Sequence, residues 1–309
     1  RLQQEVITKR SLLSSMLETN SLNYPDQTKL SAKLAELYGA SFGLSVRKKG
    51  NLHWLNVGIS FVNGEYVNDP NLFSQAVDFL KEVLFYPNIK NQQFDQLTFD
   101  LEKNNLRLYL ESLKEDKQTF ASYALQELYF ENSPEQKIPS LGVVEEIDKI
   151  TARSLAAYYQ EMMANDQIDI FVVGDVDPDK AAEAVGQLPF EPRETAHPEL
   201  FYTQPQVNIV KERQVREPIV QAKLNLAYQT NVYYDEPEHF ALMVFNGLFG
   251  GFPHSKLFMN VREKESLAYY ASSSVDTFRG FMSVQTGIDE KNRNQVLRLI
   301  HEQLESLRN

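Results

Sequence analysis

Residues 42–61 read Phe-Gly-Leu-Ser-Val-Arg-Lys-Lys-Gly-Asn-Leu-His-Trp-Leu-Asn-Val-Gly-Ile-Ser-Phe. Apolar and polar side chains alternate on both sides of Lys-Lys-Gly-Asn at the two-residue period of a strand, and this pattern predicts an antiparallel hairpin. Amphipathic helical patterns lie on either side of it, over 6–19 and 70–85. Hairpins and amphipathic helices without regular strand–helix–strand alternation predict an α+β protein in which helices pack on one face of antiparallel sheets.

The second half of the chain repeats this order of elements. We predict two strands, two helices, a hairpin and a final helix there, over 207–213, 218–228, 236–249, 254–264, 267–288 and from Asp289 onward. A matching order in both halves indicates one duplicated unit, so we expect two homologous domains. Each half lacks elements that the other half has, so we expect that elements before Arg1 and after Asn309 are missing and that the chain is trimmed at both ends.

A proline-rich linker over 189–206 divides the two halves. It holds four of the 13 prolines, a density that neither a helix nor a central strand tolerates. We therefore predict an N-terminal domain over 1–188 and an incomplete C-terminal domain over 207–309. The first domain is expected to end with a strand over 168–174 and a short helix that begins at Asp177.

The composition is that of an ordinary globular protein with an acidic surface, and its formal net charge is -11. A general binder of nucleic acid or anionic membranes needs a basic footprint, so we expect neither as a partner. The chain has no cysteine, which excludes disulfides and thiolate zinc sites and fits a reducing compartment. No apolar run approaches ~18 residues, so we expect no membrane insertion and a cytoplasmic protein, with a leader ahead of Arg1 left open.

The histidines and serines form no recognisable catalytic set by themselves. No two of the five histidines stand three or four residues apart, so no helix presents a histidine pair to a metal. His239 follows a run of acids and reads more simply as the first turn of a helix. Ser14 and Ser15 lie mid-helix without a Gly-x-Ser-x-Gly elbow. Arg262 and Tyr269 stand seven apart, and on spacing alone the plainer interpretation is a solvated arginine beside a strand tyrosine.

Three stretches together carry a family resemblance. They read Ser-Leu-Leu-Ser-Ser-Met-Leu-Glu-Thr-Asn-Ser-Leu-Asn-Tyr-Pro-Asp (11–26), Leu-Glu-Lys-Asn-Asn-Leu-Arg-Leu-Tyr-Leu-Glu-Ser-Leu-Lys-Glu-Asp (101–116) and Phe-Gly-Gly-Phe-Pro-His-Ser-Lys-Leu-Phe-Met-Asn-Val-Arg-Glu-Lys-Glu-Ser-Leu-Ala-Tyr (249–269). With them the chain resembles the insulinase/pitrilysin family of zinc peptidases, whose relatives include the mitochondrial processing peptidase subunits. It is most similar to the smaller two-domain members of Gram-positive bacteria, which often occur as unequal pairs. The third stretch is the most specific, and the likeness covers essentially the whole chain.

The resemblance implies that the zinc site is lost. The two zinc histidines of the family's His-x-x-Glu-His motif fall on Ser11 and Ser15, and its catalytic glutamate falls on Ser14. The third ligand, a downstream glutamate, falls on Tyr109, while a companion carboxylate position keeps Glu102. A hydroxyl is a poor ligand for Zn²⁺ beside imidazole or carboxylate, so we expect no bound metal and no catalysis by this chain alone. Zinc is then expected only in a partner subunit.

Arg262 and Tyr269 match an arginine and a tyrosine that the family brings to the active site to bind substrate. In paired members, the subunit without zinc supplies them. The resemblance therefore implies a non-catalytic subunit that pairs with a zinc-bearing paralogue, or with a second copy of itself, and offers these residues to a peptide in a shared chamber. Two alternatives stay open: a stand-alone zinc-dependent metallopeptidase with other ligands, and a structural scaffold subunit without a proteolytic role.

Overall fold

The computed structural model describes residues 2–194, 198–206 and 209–308, and it has the α+β fold that the sequence predicts. Helices pack against small antiparallel sheets. The α-helices of the described ranges are α1 (Gln4–Thr19), α2 (Gln27–Glu36), α3 (Leu72–Phe85), α4 (Gln96–Glu115), α5 (Lys117–Tyr129), α6 (Pro134–Lys137), α7 (Val144–Ile147), α8 (Ala152–Asn165), α9 (Pro178–Val185), α10 (Glu238–Asn246) and α11 (Arg293–Glu305).

The strands of the described residues form three antiparallel sheets. The strands are β1 (Ser41–Lys49), β2 (Leu52–Ser60), β3 (Ile89–Lys90), β4 (Gln93–Phe94), β5 (Ala222–Gln229), β6 (Ala268–Asp276) and β7 (Phe281–Ile288). β1 pairs with β2 and β3 with β4, whereas the sheet of the second half has the order β5-β7-β6. Both long hairpins that the alternating patterns predict are thereby confirmed.

The first hairpin turns at Gly50 and Asn51, within the predicted Lys-Lys-Gly-Asn turn. Gly50 has a φ of 55°, in the left-handed region that favours glycine. A Cβ atom at this position would lie 1.9 Å from the carbonyl oxygen of Leu200, so the close approach of the proline-rich segment also requires a glycine here.

Helix α1 is the central element of the first half. It lies against β1 and is enclosed by α3, α4, α7 and α8. Leu12, Leu13, Met16 and Leu17 are at most 1% exposed and belong to one core with side chains of α4 and α8. Because fully burying one such side chain contributes roughly 1.5–3 kcal/mol, the core rather than intrinsic propensity holds this helix.

The second half repeats the order of the first: two helices, a hairpin and a third helix. Here α10 continues into a π-helical turn (Gly247–Gly251), and a second π-helical segment (Leu257–Lys264) precedes the hairpin of β6 and β7 and helix α11. In the π-helical turn the Phe252 amide donates to the carbonyl of Gly247, five residues back, at 3.0 Å. The helices predicted over 236–249 and 254–264 are therefore helical, but with wider turns than the pattern predicts.

Two of the predicted strands are wrong. Residues 168–174 form no strand, and Phe171 and Val173 are 86% and 95% exposed. Residues 209–213 form none either, while 207 and 208 lie outside the described residues. A strand requires a hydrogen-bonded neighbour, and neither run has one in the part of the chain that the structure describes, so a β-branched composition alone does not produce it. The strand predicted over 218–228 is confirmed in shifted form as β5.

Helix α4 begins at Gln96, directly after a short hairpin. This hairpin pairs β3 with β4 and turns at Asn91 and Gln92, whose φ values are 53° and 62°. Asp95 then caps α4, because its carboxylate accepts from the amide of Thr98 at 3.0 Å.

The predicted linker contains neither helix nor strand in its described parts, 189–194 and 198–206. Residues 195–197 lie outside the described residues, and the division into domains at this segment stays a prediction. In the described ranges, no helix is both long enough and apolar enough to cross a membrane.

Candidate functional site

Ser11, Ser14 and Ser15 share one face of α1, because residues three and four apart are neighbours on a helix. Ser11 and Ser14 are 2% and 8% exposed, and Ser15 is partly buried. The Ser14 hydroxyl donates to the Ser11 carbonyl at 2.7 Å, and Ser15 donates to the same carbonyl at 3.5 Å. Ser11 in turn donates to the carbonyl of Ile7 at 3.3 Å. The three hydroxyls thus bond to the backbone of their own helix.

These side chains do not fit the zinc ion that the family resemblance implies. Zn²⁺ takes thiolate, imidazole or carboxylate ligands, whereas here three neutral hydroxyls donate their protons to carbonyl oxygens. Tyr109, which matches the third ligand position, lies on α4 and is 51% exposed. Within the described ranges, no three His, Cys, Asp or Glu side chains are grouped so that they could hold a metal ion.

A carboxylate that the sequence analysis missed lies beside the serine face. Glu18 follows Ser14 by four residues on α1, and this spacing was the signal that could have revealed it. Burial raises the pKa of the Glu18 carboxyl, a hydrogen bond from the Leu44 backbone opposes this, and the negative charge of Glu102 on α4 raises the pKa further. The helices α1 and α4 therefore bring two acids, Glu18 and Glu102, close enough for their negative charges to repel.

Arg10 anchors the serine helix and was also missed by the sequence analysis. It is 6% exposed, and its Nε donates to the hydroxyl of Tyr158 at 2.7 Å. Its Nη2 donates to the carboxylate of Asp166 at 2.6 Å, and its Nη1 donates to the carbonyl of His53. These bonds connect α1 to α8, to Asp166 directly after α8, and to β2. They therefore fix the position of the serine face.

Arg262 lies near the end of the second π-helical segment. Its guanidinium carbon is 4.6 Å from the centroid of the Phe258 ring, and its Nε is 3.6 Å from the carboxylate of Glu263. The Arg262 side chain remains 41% exposed. A cation held over an aromatic face keeps its position while part of its surface stays in water.

Tyr269 is the extra residue of a β-bulge in β6. The pairing with β7 shifts between Ala268 and Tyr270, which leaves Tyr269 outside the regular ladder. Its side chain is 58% exposed. A bulge bends its strand and turns a side chain away from the ladder, and such bulges are enriched beside binding sites. Among the described residues, no hydrogen bond or ion pair joins Arg262 or Tyr269 to α1.

The fold and this arrangement define an α+β protein of two similar halves whose first helix carries three serines bonded to its own backbone. The chain belongs to the M16 peptidase family: its residues 149–309 match the family model described as the peptidase M16 inactive domain. The resemblance to the insulinase/pitrilysin family is thereby confirmed.

Relatives that are themselves described as inactive are among the similar proteins. The chain is 35% identical over 310 residues to the probable inactive metalloprotease YmfF of Bacillus subtilis (strain 168), covering 100% of this chain and 72% of that protein. It is 62% identical to a conserved protein from Enterococcus faecalis V583 of known crystal structure, with a TM-score of 0.94 and coverage of 100% and 72%. The crystal structure of a peptidase M16 inactive domain from Pseudomonas fluorescens is 20% identical, with a TM-score of 0.69 and coverage of 96% and 68%, and supports the fold alone. The chain is therefore a homologue of inactive M16-family peptidases.

Proposed function

We propose that this chain is the non-catalytic subunit of an M16-type peptidase, that it pairs with a zinc-bearing paralogue, and that Arg262 and Tyr269 bind peptide in a chamber which the two subunits share. Its membership of the family and its inactive relatives support the non-catalytic role. The serine hydroxyls of α1 support it as well, because they are bonded to backbone where the family carries ligands.

The observation that carries the proposal is the position of Tyr269 on the bulge of β6. A tyrosine that served only the sheet would take its place in the ladder, whereas this one interrupts the ladder and remains 58% exposed. Arg262, seven residues earlier, is likewise exposed and is steadied by an aromatic ring. Both residues therefore hold defined positions without being required by the core.

The chemistry of the two side chains suits a peptide. A guanidinium presents several N–H donors and a permanent positive charge, and a phenol presents one O–H donor. Such groups bind the carbonyl oxygens or a terminal carboxylate of a peptide and can stabilise negative charge that develops on a carbonyl oxygen. In this proposal the metal and the attacking water belong to the partner, and this chain positions the peptide.

The test uses the complex of this chain with its zinc-bearing paralogue, purified after co-expression. Removing one well-placed donor to a developing oxyanion typically costs about 2.7–4 kcal/mol in the barrier. We expect Arg262→Ala or Tyr269→Phe to lower peptide cleavage by the complex roughly 10²–10³-fold. Size-exclusion chromatography and circular dichroism should show unchanged pairing and fold.

Two substitutions serve as matched controls. Arg298→Ala removes an arginine that is 69% exposed on α11, and Tyr66→Phe changes a tyrosine that is 77% exposed. Both are expected to leave the cleavage rate unchanged. If the Arg262 and Tyr269 variants pair normally and also cleave at the unmutated rate, the shared site is wrong and a scaffold role remains. If the isolated chain instead binds zinc and cleaves peptides, it is a stand-alone metallopeptidase.

A further inference from the structure

Three segments meet where the two halves of the chain join. The turn at 50–51 closes the first hairpin, and the turn at 277–280 closes the hairpin of β6 and β7. The described end of the proline-rich segment, 198–206, makes hydrogen bonds to both turns. We call these three segments the joint.

Backbone hydrogen bonds tie the middle segment of the joint to both turns. The amide of Asn51 donates to the carbonyl of Leu200 at 2.9 Å, and its side-chain Nδ2 donates to the carbonyl of Phe201 at 2.8 Å. On the other side, the amide of Tyr202 donates to the carbonyl of Phe278 at 2.9 Å. Of three consecutive residues, Leu200 and Phe201 are therefore bonded to the first half and Tyr202 to the second.

Aromatic contacts reinforce the same connection. The ring of Phe201 stacks on Phe278 with centroids 5.6 Å apart, and it meets Tyr233 edge-on at 5.6 Å. The ammonium of Lys49, from the first hairpin, lies 3.9 Å from the centroid of the Phe278 ring. Stacked, edge-on and cation–π contacts at these distances are all attractive.

Gln204, within the middle segment of the joint, is also bonded to both halves. It is 7% exposed, and its Nε2 donates to the carbonyl of Tyr129 at the end of α5 in the first half at 2.8 Å. Its own carbonyl accepts from Nε2 of Gln229 at the end of β5 in the second half at 2.8 Å. Tyr202 donates to its side-chain oxygen at 2.8 Å. The buried Gln204 is thus bonded to the first half through its side-chain amide and to the second half through its backbone carbonyl.

Side chains next to the joint also make contacts between the two halves. Tyr129 and Phe130 of the first half contact Phe281 of β7, with ring centroids 5.2 and 5.4 Å apart. The guanidinium of Arg279, which is paired with Asp276 at 2.7 Å, lies 4.9 Å from the centroid of Phe130.

We infer that the joint locks the two halves into one rigid body, so that the chain does not open and close about its proline-rich segment. A linker without secondary structure ordinarily lets domains move relative to one another. Here such a movement would break the hydrogen bonds of this segment to one of the two turns, and it would also break one of the two bonds through which Gln204 joins the halves. The inference goes beyond the proposed function and does not depend on a partner or on peptide binding.

The test measures the distance between the halves in the full chain by double electron–electron resonance. Since the chain has no cysteine, two introduced cysteines are the only attachment points for spin labels. Thr28→Cys on α2 and Gln295→Cys on α11 are exposed positions in the two halves. A second pair within the first half, Thr28→Cys with Glu111→Cys, provides the width expected for a rigid body. We expect the pair between the halves to give one distance peak as narrow as this reference.

Loosening the joint should then broaden that peak. Phe201→Ala with Gln204→Ala removes the stack and the buried amide, and we expect a broader or displaced distance distribution. Phe171→Ala with Gln187→Ala changes a matched pair of exposed residues outside the joint and should leave the peak narrow. A broad or two-peaked distribution in the chain with an intact joint overturns the inference, whether or not the joint variant folds. A narrow, unshifted peak in the folded joint variant overturns it too.

Discussion

His53 makes the stability of this protein depend on pH in a way that can be worked out from its surroundings. The residue lies on β2 and is 3% exposed. Its Nε2 is 2.8 Å from the carbonyl oxygen of Ser140, so the neutral ring donates there, while Nδ1 is buried without a partner among the described residues. Burial lowers the pKa of His53 to about 4; the bond to Ser140 opposes this, and the charges of Arg10 and Lys48 add to it.

The sign and size of the effect follow from linkage between protonation and folding. In the unfolded chain the imidazole has its ordinary pKa near 6.5, so between pH 6.5 and 4 the unfolded chain binds a proton that the folded chain does not. The free energy of unfolding therefore falls as the pH is lowered through this window. With the folded pKa at about 4, the contribution lost between pH 7.5 and pH 4 is about 3 kcal/mol.

The perturbation is His53→Gln, because a glutamine amide can still donate to the Ser140 carbonyl but does not titrate. Urea unfolding at pH 7.5 and pH 4 gives the free energy lost by each protein over that range. We expect the unmutated protein to lose about 3 kcal/mol more than His53→Gln, because protonation of all other groups contributes equally to the loss in both proteins. His301→Gln, at an exposed histidine on α11, is the matched control and should lose as much as the unmutated protein.

The result that refutes the reasoning is an equal loss of free energy in the unmutated protein and in His53→Gln. It would mean that the folded chain accepts a proton on this imidazole near its ordinary pKa. A smaller but clear difference would place the folded pKa of His53 between 4 and 6.5, at a value that its size gives.

Arg10→Met is expected to lower the free energy of unfolding by roughly 2–4 kcal/mol in urea at pH 7, because it leaves buried acceptors unpaired; a change below about 0.5 kcal/mol would contradict this role. Gly142→Ala should destabilise by more than about 1 kcal/mol, since φ is 90° and the new Cβ would lie 2.2 Å from Oγ1 of Thr8. Gly39→Ala, at a φ of 76° with no atom within 4 Å of the new Cβ, should destabilise the protein less than Gly142→Ala in the same urea unfolding experiment. Elemental analysis of the purified chain should find no stoichiometric zinc; about one tightly held zinc, lost on changing Ser11, would be the contrary result.

Local patterns were enough to predict the elements whose cause is local. The alternation over 42–61 predicts a hairpin, and the structure has one. Asp26 directly precedes α2, where an aspartate is a favoured cap, and its carboxylate accepts from the amide of Lys29 at 2.9 Å. In both cases the residues that determine the element lie within a few positions of one another.

Elements that depend on distant partners were the ones that the sequence did not reveal. The run 168–174 has the composition of a strand but no paired neighbour in the described part of the chain, so the strand predicted from its composition does not form. Arg10 looked like an ordinary charged residue because its partners, Tyr158 and Asp166, lie 148 and 156 residues away. The bulge at Tyr269 depends on how β6 and β7 are registered, which an alternating pattern does not specify.

The candidate site shows the same division. The serines were predicted to lie within a helix over 6–19, and they do; helical spacing then places them on one face. Glu18 was missed although it lies on that helix, since its raised pKa arises from burial and from Glu102 on another helix. The role of Arg262 and Tyr269 rests on the family resemblance, and the exposure and bulge that support it were visible only in three dimensions.

The structure also explains how α1 can carry serines at these positions and still fold. Four of its deeply buried apolar side chains, Leu12, Leu13, Met16 and Leu17, contribute roughly 6–12 kcal/mol together at 1.5–3 kcal/mol each. A buried hydroxyl without a partner would cost only about 1–3 kcal/mol, and the bond of Ser14 to its own helix, at 2.7 Å, removes even that penalty. The core of the first half and the chemistry of the family's motif therefore depend on different residues of one helix. Changing the residues at the serine positions leaves the buried apolar residues of α1 in place. The chain can therefore keep its fold without a metal site of its own.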